Sequence, residues 1–180
     1  MKHLKSFLIA AALFTAVQAS AQTDKETTIK LVENKNLVFN ATQAYPMNSA
    51  DINKVLSQMP GANSGGMISL SGSRYELTIA KDTVVAYLPY FGRAFTPSMN
   101  PNESGIKFTS TKYSYATEKK KKGNWVITIK PEDNRDIQTL TLNVTQSGYA
   151  SLVVTSNNKQ SITFNGYLSE PAVKKNELSK

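Results

Sequence analysis

The sequence predicts an all-β protein, an antiparallel up-and-down β barrel with a short N-terminal helix. Apolar and polar residues alternate with a period of two through most of the chain after residue 70. Turn-forming pairs such as Lys81-Asp82, Ser147-Gly148 and Asn157-Asn158 separate these segments. About eight strands result. Because closure into a barrel removes exposed sheet edges, we favour a barrel over the alternative, a two-sheet sandwich.

The first 21 residues have the three parts of a secretory signal peptide. Lys2 and Lys5 precede an apolar run from Phe7 to Val17, and small residues follow at Ala19-Ser20-Ala21. Cleavage before Gln22 would deliver a periplasmic or secreted protein with one β-barrel domain over residues 22–180. The apolar run is shorter than the roughly 20 residues that a bilayer requires, so we predict a protein that does not span the membrane.

Two helices are predicted ahead of most strands. Thr23 as N-cap with Glu26 three places later resembles a capping box, which predicts a helix over residues 24–33 with Ile29 and Val32 on one face. Apolar residues recur at three and four places between Asn48 and Met59, which predicts a second short helix there.

The strand segments follow in order. The first begins at Leu37 and is stopped by Pro46, and Ile106–Glu118 is either one long strand or a bent pair. The tail over residues 171–180, rich in Lys, Glu and Ser, is predicted to be disordered. The remaining segments carry alternating apolar residues: Tyr75–Ile79, Thr83–Leu88, Trp125–Lys130, Leu140–Val144, Ala150–Val154 and Ile162–Phe164.

Composition excludes several classes of enzyme. The chain has no Cys, and its single His, His3, lies in the predicted signal peptide. Serine and cysteine nucleophile systems that use His, and zinc sites built on His or Cys, are therefore excluded from the mature protein. We predict no enzyme activity, catalytic residue, metal site or cofactor. A hydrolase using paired carboxylates is a distant third hypothesis.

Net charge favours anionic partners. The formal charge of +8 includes Lys2 and Lys5, so the mature chain keeps a clear positive excess. Anionic lipid headgroups, lipopolysaccharide phosphates and acidic glycans are the expected partners in the envelope, and nucleic acid is not expected there. The sequence leaves the oligomeric state open.

Two segments resemble an exported Bacteroidetes family, the domain of unknown function 4251. They are Val85–Phe95, which contains AYLPYFGRA, and Thr155–Ile162, which contains SNNKQSI. A third, weaker match is Phe39 followed by Ala44-Tyr45-Pro46-Met47. The resemblance implies a lipocalin-like β barrel and no particular activity.

The first of these segments supplies a candidate ligand-binding site, formed by Tyr87, Tyr90, Phe91 and Arg93. Aromatic faces bind apolar or sugar-ring surface, and a guanidinium pairs with an anionic group. The structural alternative, which we weigh more heavily, is that the aromatic side chains seal one end of the barrel.

Four consecutive lysines, Lys119, Lys120, Lys121 and Lys122, form a candidate contact for anionic surfaces. Each would contribute about 1 kcal/mol near an anionic lipid surface. The alternative, which we favour, is a solvated hairpin tip that discourages edge pairing.

Two functional hypotheses follow. The leading one is a non-catalytic binding module for a small apolar or amphiphilic ligand, held at the barrel end. The other is a cell-envelope interaction protein that acts through its basic surface.

Overall fold

The computed structural model describes residues 23–47, 66–95 and 105–172. They form an antiparallel sheet that closes into a nearly complete barrel, with one short helix, which confirms the predicted fold class. The predicted signal peptide, the predicted helix between Asn48 and Met59 and the tail after residue 172 lie outside the described residues. Within the described ranges, no helix combines the length and the apolar character needed to cross a bilayer.

The elements follow the predicted order. The helix α1 covers Lys25–Glu33. The strands are β1 (Leu37–Pro46), β2 (Ile68–Ser69), β3 (Glu76–Ile79), β4 (Val84–Leu88), β5 (Ile106–Ser110), β6 (Tyr113–Lys119), β7 (Trp125–Pro131), β8 (Ile137–Val144), β9 (Tyr149–Ser156) and β10 (Ile162–Ser169).

Apart from the pairing of β1 with β10 and the position of the short β2, neighbouring strands in the barrel follow one another in the sequence. The order is β5-β4-β3-β1-β10-β9-β8-β7-β6, every pair is antiparallel, and the short β2 pairs only with β1. The pairing of β1 with β10 joins the first and last strands, as an up-and-down barrel requires. β5 and β6 run in the same direction and are separated only by Thr111 and Lys112. Of the two forms predicted for Ile106–Glu118, one long strand or a bent pair of strands, the structure has the bent pair. Counted as one strand, this pair completes an eight-stranded barrel.

The bend between β5 and β6 is held by Asp133, from the loop after β7. The carboxylate accepts hydrogen bonds from the Ser110 hydroxyl, from Thr111 N–H at 2.9 Å and from Lys112 N–H at 3.2 Å. The bond from the Ser110 hydroxyl is the main cause that holds the pKa of Asp133 below its usual range, followed by the Thr111 N–H. The first half of the bent strand pairs with β4 and the second half with β7, so Asp133 fixes the seam of the barrel.

The barrel interior is occupied by side chains. Inward positions alternate with outward ones along β7, β9 and β10, as the period of two predicts, and the buried side chains form one continuous apolar cluster. Trp125 begins one inward row and is 5% exposed. The largest fully buried side chains include Phe39, Phe164, Leu37, Leu77, Ile127, Leu140, Leu142 and Leu152.

Helix α1 packs against the barrel with a different cap from the one predicted. The N-cap is Asp24, whose carboxylate accepts a hydrogen bond from Thr27 N–H at 2.7 Å. The Thr23 hydroxyl instead donates to the carbonyl oxygen of Leu168 in β10, so the capping-box assignment of Thr23 was wrong. Val32 is buried as predicted, whereas Ile29 is only half-buried and Leu31 takes the second core position.

Candidate functional site

Tyr87, the first residue of the predicted ligand site, lies on the outer surface of the barrel. It alternates along β4 with the buried Ala86 and Leu88 and is 47% exposed. Its ring stacks on that of Tyr75 with 5.9 Å between centroids, and the Lys107 ammonium lies 5.0 Å from the ring centroid. The Tyr87 side chain therefore points away from the barrel interior.

Tyr90, Phe91 and Arg93 lie in the segment after β4. The Tyr90 hydroxyl lies 2.7 Å from the carbonyl oxygen of Arg93 and 3.1 Å from that of Gln160, which accept its hydrogen bond. Burial raises the pKa of Tyr90. Phe91 is half-buried and packs against the core, and Arg93 is exposed. The structure brings these three residues close together and leaves Tyr87 apart from them.

Backbone hydrogen bonds tie the same segment to the turn between β9 and β10. Gln160 N–H donates to the carbonyl oxygen of Arg93 at 3.0 Å, and Phe95 N–H donates to that of Asn158 at 2.7 Å. The Lys159 ammonium lies 5.2 Å from the Tyr90 ring. This arrangement fits the structural alternative, in which Tyr90 and Phe91 anchor the chain across one end of the barrel.

Lys119 is the last residue of β6, and the other three lysines lie in the turn that leads to β7; we call residues Lys119–Asn124 the lysine tip. Gly123 N–H donates to the carbonyl oxygen of Lys120, and Lys120 N–H donates to that of Asn124, both at 2.8 Å. The side-chain amide of Gln146, in the turn between β8 and β9, donates to the carbonyl oxygen of Lys122 at 2.7 Å. The lysine tip is therefore held against the neighbouring turn.

Beside the lysine tip lies a cavity of about 1260 Å³, which we call the tip groove. Its floor is the outer face of the sheet from β7 to β1. Besides the lysine tip, the side chains on this outer face belong to Val126, Asn143, Ser151, Asn165, Gln43, Tyr149 and Tyr167.

Positive charge dominates the tip groove. All four lysines line it, together with one carboxylate, that of Glu118, which forms an ion pair with Lys120. The Lys119 ammonium lies 5.8 Å from the Trp125 ring centroid. No other carboxylate is among the described residues that line this groove. Anions are therefore attracted to this end of the outer face.

A second cavity, of about 810 Å³, lies farther along the same outer face, and we call it the far groove. Thr42 and Tyr167 line both cavities, so the two grooves adjoin. The charged residues lining the far groove are Arg74, Glu76 and Glu170, which give it a formal excess of one negative charge. The two grooves thus differ in the sign of their charge.

Comparison with known proteins agrees with this architecture. The model of a family described as a domain of unknown function (DUF4251) matches residues 19–168. The chain belongs to the DUF4251 family. A crystal structure of a DUF4251 family protein from Bacteroides eggerthii DSM 20697 is similar to this chain with a TM-score of 0.52 and 13% sequence identity. The similarity covers 81% of this chain and 87% of that chain, and it shows the fold alone. A search of curated proteins found no match.

In this DUF4251 family member, the amino-acid sequence indicates the lysines but not the residues beside them. Asn143, Ser151 and Asn165 come from three different strands and meet only through the strand register: Asn143 is opposite Ser151, and Ser151 is opposite Asn165. Tyr149 and Tyr167 are likewise direct partners across β9 and β10. Their outward positions could have been read from the alternation along each strand, but their alignment depends on register.

Two carboxylates of the loop after β7 have structural partners. Asp133 holds the barrel seam, and Asp136 accepts a hydrogen bond from the Asn158 amide at 2.7 Å. In the described ranges, no three residues among His, Cys, Asp and Glu are placed to hold a metal ion.

Proposed function

We propose that this protein is a non-catalytic binding module that holds an anionic ligand of the cell envelope in the tip groove. The observation that carries the proposal is the combination, in one cavity, of the four lysines with two accessible tyrosine rings, Tyr149 and Tyr167. The proposal combines the two hypotheses drawn from the sequence, ligand binding and a basic contact surface, at one place on the barrel.

The packing of the barrel supports an external site. An eight-stranded barrel has room inside either for side chains or for one small ligand. Here the inward positions carry large buried side chains such as Phe39, Phe164 and Leu142, which belong to one continuous cluster. The proposal therefore places the ligand on the outer face rather than inside the barrel end near Tyr90.

The charges support an anionic ligand. Lys121 and Lys122 are exposed and make no ion pair within the described part of the chain, so their ammonium groups are available to a ligand. Lys120 is already paired with Glu118, which leaves three lysines to attract an anion at full strength. At about 1 kcal/mol per lysine, three lysines correspond to about a 100-fold gain in affinity at low ionic strength.

The exposed tyrosines support a ligand that has an apolar surface as well as a negative charge. Tyr149 is 55% exposed, and its partner Tyr167 is half-buried beside it. A tyrosine ring offers an apolar face together with a polar hydroxyl, which suits a ligand that is itself amphiphilic. An inorganic anion alone would leave this part of the groove unused.

The test is isothermal titration calorimetry with trigalacturonate, and vesicle sedimentation with anionic phospholipid in phosphatidylcholine. The variant K119Q/K120Q/K121Q/K122Q should bind both probes about 100-fold more weakly than wild type. The matched control K25Q/K30Q/K81Q/K130Q removes the same charge from exposed sites elsewhere and should lose far less. Equal losses in both variants, or no binding of either probe by the wild-type protein, would refute the proposal.

A further inference from the structure

We infer that the ligand is an oligosaccharide with an acidic residue at one end, bound at the lysine tip, and uncharged sugars that continue along the outer face into the far groove. This inference rests on the proposed function, because it assumes that the tip groove binds an anion. It adds the chemical class of the ligand, its direction and its length.

Side-chain chemistry on the groove floor favours sugars over acyl chains. Asn143, Ser151 and Asn165 form a row across β8, β9 and β10, and their side chains have no hydrogen-bond partner among the described residues. Amides and hydroxyls both donate and accept hydrogen bonds, so they match the hydroxyl groups of a sugar. An acyl chain on the same row would separate these polar groups from water without replacing the lost hydrogen bonds, which is unfavourable.

The two tyrosines lie next to this row, two residues away along β9 and β10 on the same face. Tyr149 and Tyr167 are opposite each other in adjacent strands, so their side chains lie side by side on the outer face. Flat rings of this kind present an apolar face to the C–H surface of a sugar ring, and their hydroxyls remain free for hydrogen bonding. The combination of tyrosines, amides and hydroxyls is therefore suited to a chain of sugars.

Continuity between the grooves indicates the direction and length. Tyr167 and Thr42 line both cavities, so a ligand that passes Tyr167 enters the far groove. From β9 to β3, the path crosses three strand spacings, or about 14 Å at roughly 4.8 Å per spacing. A ligand that uses both grooves must therefore be an extended oligomer.

Charge decides which end of the ligand lies where. The far groove has two carboxylates, Glu76 and Glu170, and one cation, Arg74, whereas the tip groove has four lysines and Glu118. A fully acidic chain would be attracted at the tip and repelled beside the two glutamates. An acid-capped chain of neutral sugars avoids this repulsion.

The test compares xylo-oligosaccharides that carry one terminal glucuronic acid, a disaccharide and a hexasaccharide, by isothermal titration calorimetry. The wild-type protein should bind the hexasaccharide about tenfold more tightly than the disaccharide. E76Q/E170Q should bind hexagalacturonate more tightly than wild type does, because the substitutions remove the two negative charges of the far groove. Equal affinity for the two chain lengths, or no gain for hexagalacturonate in E76Q/E170Q, would overturn the inference.

A second pair of variants tests the amide row. N143L/N165L should bind the acid-capped hexasaccharide at least about tenfold more weakly than wild type. T141L/T163L is the matched control, because Thr141 and Thr163 lie two residues away on the same face of the same strands and line neither groove. If N143L/N165L loses nothing relative to this control, or if it gains affinity for anionic vesicles while wild type binds no sugar, the ligand is not a glycan. The four-lysine variant separates these outcomes from failure of the proposed function, since it tests charge alone.

Discussion

Replacing Gly166 by Ala tests the contact between β1 and β10, the first and last strands of the barrel. Gly166 lies in β10 opposite Ala41 of β1, next to the register shift between Ala41 and Gln43. A β-carbon on residue 166 would lie 1.9 Å from the carbonyl oxygen of Asn40 and 3.1 Å from Cε2 of Phe39. Because ordinary contacts begin near 3.4 Å, β1 would have to move away from β10 by about 1.5 Å.

Such a movement has a large cost. Overpacking of a core typically costs about 1–3 kcal/mol, and a shift of a whole strand lies at the upper end of that range. We therefore expect G166A to lower the free energy of unfolding by about 3 kcal/mol. For a chain of this size, that corresponds to a fall in Tm of about 6–12 °C.

Urea unfolding followed by the fluorescence of the single Trp, Trp125, measures this change, because its ring is buried in the folded state. The control is G72A: Gly72 has φ of +90° and no atom within 4 Å of a β-carbon position, so only backbone strain of about 1 kcal/mol is expected. If G166A is as stable as wild type, or no less stable than G72A, then β1 and β10 do not approach as closely as described.

Two further predictions concern the seam and the segment after β4. D133N should lower stability at neutral pH. Because the pKa of Asp133 is lower in the folded state, the ionised carboxylate stabilises the folded protein. This contribution is fully present above the pKa of the unfolded state, about 3.9, and is lost as the pH falls through the pKa of the folded state. Urea titrations at several pH values should therefore show wild type and D133N converging in acid, and a constant difference would contradict the seam assignment. Y90F should lose about 1 kcal/mol of stability, since its hydroxyl bonds backbone carbonyls, and should leave calorimetric binding of trigalacturonate unchanged. Weaker binding by Y90F would instead support a ligand site at Tyr90.

The barrel was predictable because its inward positions are nearly all apolar. Trp125, Ile127 and Ile129 alternate with Val126, Thr128 and Lys130, and the inward three are buried as the alternation requires. The bend in Ile106–Glu118 was harder to place, because neither Gly nor Pro marks residues 111 and 112. It is held by Asp133, more than 20 residues away, and such a contact does not follow from local sequence.

The candidate site was predictable only in part for a similar reason. A run of four lysines between two strands identifies an exposed basic turn without any structure. The tip groove also requires Asn143, Asn165 and Tyr167, which lie up to 48 residues from Lys119 in the sequence. They reach the same face through the pairing of β8, β9 and β10, which is set by packing across the whole barrel.

The most direct measurement of the binding proposal is a two-dimensional ¹⁵N–¹H NMR titration of the protein with the acid-capped hexasaccharide. We expect chemical-shift changes at Lys122, Asn143 and Asn165 on the outer face, and none at Tyr90 or Phe91. Changes concentrated at Tyr90, Phe91 and Arg93, with the outer-face amides unaffected, would contradict it.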